Sequence, residues 1–217
     1  MHPIALCRAG GLALAALLVA TGVRAQDSLY VQISRLADSY VDTPAGMGLL
    51  ETAVAEAATA VQHADLAVGD SLSVDGLRRH AGHVLHALDP TLVTSGPAMG
   101  YGLKRAAAEA VQQIDLILAT DSLPENVSVH ATYIAAALAD VVGWTDEAIS
   151  VAERLQLAAS RSEAAALASR LGQLCRAIRY GRDANGDRVV SSIQGESGLK
   201  QAVEHMNLLK RGEGLTR

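Results

Sequence analysis

Leu50, Ala53, Val54, Ala57, Val61, Ala64 and Val68 recur every three or four residues. That spacing gathers apolar side chains on one face of a helix. The stretch "GDSLSVDG" breaks the pattern, and Val74, Leu77, Ala81, Val84, Leu85 and Leu88 then form a second stripe that "DP" ends. Two apolar stripes joined by a short polar break predict an αα-hairpin. A second hairpin is predicted around "TDSLPEN", with Pro124 just inside the start of its second helix, which continues through "VVGWTDEAISVAERLQL". Further helices are expected near "LYVQISRLADSYV", "SEAAALASRLGQLCRAIRY" and "SGLKQAVEHMNLLK", and no segment alternates strongly enough to predict a strand.

The two hairpins resemble each other in sequence. "AATAVQHADLAVGDSLSVDGLRRHAGHVLHAL" from Ala57 aligns without a gap on "AAEAVQQIDLILATDSLPENVSVHATYIAAAL" from Ala107. Roughly a third of the positions are identical, including Gln62/Gln112, Asp65/Asp115 and His80/His130. Helix-breaking segments, "TPAGMGL" and "GPAMGYGL", precede the two units. The expected architecture is all-α. Residues 47–90 and 97–140 form two tandem αα-hairpin repeats that stack as a four-helix bundle within 26–160, after an N-terminal helix. A helix-loop-helix over 161–217 follows.

The beginning of the chain changes the picture of where this bundle works. A basic "MHPIALCRAGG", a short apolar "LALAALLVATGV" and Val23-Arg24-Ala25 describe a secretory signal peptide over 1–25, cut before Gln26. A secreted or periplasmic protein with no membrane span after cleavage is expected, since no later stretch approaches ~20 uninterrupted apolar residues. Cleavage removes Arg8 and Arg24, so 18 basic residues become 16 against 23 acidic ones and the formal charge moves from −5 to −7. That sign argues against nucleic acid as a partner. One cysteine, Cys175, remains, which forbids an internal disulfide and reads as packing rather than nucleophile. With 3% aromatic residues and no Phe, the core must be built of Ala, Leu and Val, which suits closely packed helices.

Histidine is the residue that can carry chemistry. On a wheel with steps of about 100°, His83 and His86 lie roughly 150° from the centre of their helix's stripe, and His63 also falls on a polar face. All three are expected in solvent, and His205 has no partner in view. His80 sits about 90° from the stripe and Asp65 about 80° from its own, both at the core margin at similar heights below the hairpin loop. Asp65 is therefore expected to approach His80, and Asp115 to approach His130. These pairs are either structural hydrogen bonds or, if the hairpins bring them together, a site of two Asp and two His for zinc, iron or manganese. Covalent haem is excluded by the absence of Cys-x-x-Cys-His. Haem held non-covalently by His80 and His130, or by His and Met, stays open. No phosphate-binding glycine loop, Gly-x-Ser-x-Gly or His-Glu-x-x-His occurs. The Asn126 sequon is read as a chance match.

The remaining chemical signal is "DANGDRVVSSIQGE". Counted from Asp183, side-chain oxygens fall on Asp183, Asn185 and Asp187 at the first, third and fifth positions. Val189 offers its carbonyl at the seventh and Ser191 stands at the ninth. The loop resembles the calcium loop of EF-hand and dockerin proteins, over this segment and its flanks alone. It departs from them at Arg188, where the sharp turn wants Gly, and at Gln194, where a bidentate carboxylate belongs. Glu196, two residues on, would have to substitute. The resemblance implies a weak calcium site, and the alternative is a polar turn with no ion. Three classes of function follow. The first is a non-enzymatic binding protein holding a metal or small cofactor. The second is a helical interaction module with no ligand beyond calcium and an unidentified protein partner. The third is an enzyme, for which only the Asp–His pairs speak.

Overall fold

The computed structural model describes residues 28–69 and 73–215. The expected signal peptide lies outside them. Among the described residues every regular element is helical, so the fold is all-α. After α1 (residues 28–37) and a 3₁₀ turn at Pro44–Gly46, the chain forms α2 (Leu49–Ala67), α3 (Val74–Leu88), α4 (Leu103–Leu118), α5 (Glu125–Leu157), α6 (Arg161–Tyr180) and α7 (Leu199–Gly212). Pro124 is the residue before α5 rather than its first turn.

Small side chains determine how these helices meet. Ala53, Ala57, Ala60, Ala64 and Ala67 make a fully buried stripe along α2. With little more than a methyl group at each contact, neighbouring axes can approach at the close end of the usual 8–10 Å range. α2 and α5 each pack against α3, α4, α6 and α7. α6 and α7 share the two hydrophobic clusters with the hairpin helices. One cluster runs from Ala53 through Leu88 and Trp144 to Ile178, and the other joins Ile33, Ile114, Leu138 and Met206. α5 is long and apolar enough by length and composition to cross a membrane. Much of its apolar surface, from Val127 through Leu138 to Leu155, is buried against four neighbouring helices.

Short devices fix the ends. The Ser73 hydroxyl accepts the Gly76 N–H at 3.1 Å and starts α3, and Ser160 does the same for α6 through Glu163. Gly48 allows the end of α1 to lie against α2, because a Cβ there would stand 2.5 Å from the Ala37 carbonyl carbon. Asn126 spends its amide on α7, donating to the Leu209 carbonyl at 3.0 Å and to Glu213 at 2.9 Å. Burial pushes the Cys175 thiol up to about 12, which makes it an inert packing residue.

Candidate metal centre

α3 packs along α2. His63 lies four residues before the end of α2 and His80 six residues after the start of α3. At about 1.5 Å of rise per residue the two stand at nearly the same height below the loop. His83, one turn further along α3, joins them. His63 Nδ1 is 3.1 Å from His80 Nδ1 and 3.2 Å from His83 Nδ1, and one ligand nitrogen from each ring lies within 4.8 Å of the other two. The His63 and His83 rings meet edge to face with centroids 4.5 Å apart, while His63 stacks on His80 at 5.4 Å.

Proton counting makes this arrangement unusual. A neutral imidazole nitrogen carries either one N–H or one lone pair in the ring plane. His63 Nδ1 faces two other Nδ1 atoms, so one proton or one lone pair has to serve two contacts. A cation accepting a lone pair from each ring would satisfy all three nitrogens together. The spacing suits one, since metal–nitrogen bonds of about 2.0–2.1 Å put neighbouring tetrahedral ligands roughly 3.3 Å apart. Burial lowers the pKa of His63, with His83 and then His80 adding to it. Burial also lowers that of His80, with His83 and Arg79 adding to it. Both shifts favour the neutral ring, the form that ligates. Three imidazoles leave a fourth tetrahedral position for water or a donor from a partner.

The expected Asp–His pairs do not form. Asp65 makes its ion pair with Arg176 of α6, and His80 turns to His63 instead. Asp115 is exposed on α4, and His130 Nδ1 lies 2.9 Å from His205 Nδ1 on α7. Asp65, His80, Asp115 and His130 therefore do not share one centre. His63 and His83 are partly buried against each other rather than free in solvent. His86 also departs from expectation. It is only 6% exposed, its Nδ1 sits 2.7 Å from the Val93 carbonyl, and Gly96 packs so closely that a Cβ would stand 2.6 Å from the ring. The 89–102 connection, which has no periodicity to reveal its path, covers that face of α3.

The C-terminal loop turns its oxygens inward. Asp183 accepts the Gly186 and Arg188 amides at 2.7 and 2.8 Å, Asn185 accepts that of Asp187 at 2.8 Å, and Asp187 accepts that of Val189 at 2.7 Å. Arg188 takes a φ of 69°, at the position where the sequence wanted glycine. Gln194 is exposed, whereas Glu196, 2% exposed, reaches back to the Ala184 amide and to the Ser191 amide and hydroxyl. The Ser191 hydroxyl, followed by its amide, holds the Glu196 carboxyl below the usual range. Asp140 of α5, which no sequence signal marked, accepts the Gly195 amide at 2.6 Å and the Ser197 amide at 3.2 Å and fastens the loop to the bundle.

No family model, curated protein or solved structure matches this chain.

Proposed function

We propose that this protein is a secreted or periplasmic, non-enzymatic helical binding protein that holds a divalent transition-metal ion at His63, His80 and His83. The observation that carries this reading is the convergence of three Nδ1 atoms from two helices. The cluster consists of histidines alone, from α2 and α3. Imidazole ligands suit zinc, copper and nickel, and the open position is where an ion could be passed on or a partner's donor could enter.

Calcium at the C-terminal loop is a second, weaker element of the proposal. It is supported by the positive φ at Arg188 and by Glu196 turning back into the loop from Asp183. The test is equilibrium dialysis of the folded protein against Zn²⁺, Cu²⁺ and Ni²⁺, for the wild type and for His63→Ala. The wild type should bind with at least tenfold higher affinity than the variant at one site. Equal binding by the two, or none by either, would overturn the reading.

A further inference from the structure

A second pair of histidines stands at the contact of α5 and α7. In the aligned repeat, His80 and His83 of α3 correspond to His130 and Tyr133 of α5. In the first centre the two α3 residues meet His63 of α2. At α5 the corresponding two meet His205 of α7. His130 Nδ1 lies 2.9 Å from His205 Nδ1, and the Tyr133 ring stacks on His205 with centroids 4.5 Å apart at 18°. Both histidines are partly buried and come from helices that the core already holds together. Their separation is therefore set by the fold rather than by two mobile surface side chains.

We propose that His130 and His205 form a second chelate, for a copper(II) or nickel(II) ion, that ties α7 to α5. The spacing lets both nitrogens reach one ion, and copper(II) and nickel(II) are the ions that take imidazole ligands in a square plane. With metal–nitrogen bonds of about 2.0–2.1 Å, two ligands at right angles stand roughly 2.8–3.0 Å apart. The 2.9 Å between the two Nδ1 atoms matches neighbouring corners of a square plane, the arrangement that copper(II) and nickel(II) prefer. The two remaining corners are left to water. As a neutral pair the two rings share a single N–H between two nitrogens, whereas an ion takes a lone pair from each. Tyr133, stacked flat on His205, fixes that ring's plane and is a positioning residue rather than a ligand.

The second site is independent of the first, and copper(II) titration of the full chain separates them. The wild type should take up two equivalents. His63→Ala should keep one, His205→Ala should keep one, and the double variant should bind at least tenfold more weakly than either. His130→Gln serves as a second probe of the same chelate if His205→Ala does not fold. Circular dichroism of each variant establishes that the helices are intact. Uptake of the same number of equivalents by the wild type, His205→Ala and His130→Gln would overturn this second site, whatever His63→Ala does. If His63→Ala behaves as the wild type while His205→Ala loses one equivalent, the second site stands and the first falls.

Discussion

At the scale of single residues, position relative to two helices decides chemistry, and a wheel describes only one. His63 and His83 lie off the apolar stripe of their own helix, which reads as solvent exposure, and His80 lies at the margin of its stripe, which reads as a partner for Asp65. Margins of adjoining helices face each other, so side chains well away from both stripes can converge. The clue present in the sequence is height, because His63 and His80 stand nearly level below one loop. Asp65 meets the same geometry with a different outcome, because Arg176 of α6 offers a charged partner that no repeat pattern marks. Arg188 supplies a residue-scale prediction. Its φ of 69° costs a side chain about 1 kcal/mol or more, which glycine would not incur. Arg188→Gly should raise the unfolding midpoint even in chelator, and more in millimolar calcium if the loop binds the ion. Asp183→Ala should lower the midpoint by removing the acceptor of two backbone amides. A calcium-independent midpoint in both the wild type and Arg188→Gly would leave the loop a self-capped turn.

At the scale of elements, the helices were legible because their apolar positions keep a 3.6-residue period against clear stops. The hairpin helices, α6 and α7 fall where that period places them. The path of the 89–102 connection was not legible, and it is the reason His86 is covered. Ser73 is an element-scale lever on the metal centre. Its hydroxyl starts α3, the helix that carries His80 and His83. Ser73→Ala should cost about 1 kcal/mol in denaturant unfolding. It should also weaken metal binding by loosening the first turns of α3, while Ser160→Ala, at the start of α6, should cost similar stability and leave metal affinity unchanged. Equal metal affinity in Ser73→Ala and the wild type would separate the cap from the site.

At the scale of the whole molecule, His63, His80 and His205 stand where a charged ring is disfavoured. His63, His80 and His205 all have pKa values lowered by burial, helped by neighbouring histidines and, for His80, by Arg79, with Glu204 opposing at His205. A folded pKa below the unfolded value of 6.5 means that the unfolded chain binds more protons in the window between them. Stability is therefore full above pH 6.5. It should fall as the pH drops through that value and level off below the lowered folded values. Metal-free protein should show this loss between neutral and mildly acidic pH, and a bound ion should offset it at the upper end of the window, because ligation and protonation compete for the same nitrogens. A midpoint independent of pH through this range would contradict the placement of these rings.

The most direct measurement of the central claim is nitrogen-15 NMR of the histidine rings as one equivalent of zinc is added. Ligation through Nδ1 predicts that His63, His80 and His83 shift together, each with its proton fixed on Nε2, while buried His86 keeps its signal. Three unchanged rings at saturating zinc, or shifts confined to one of them, would contradict a shared centre.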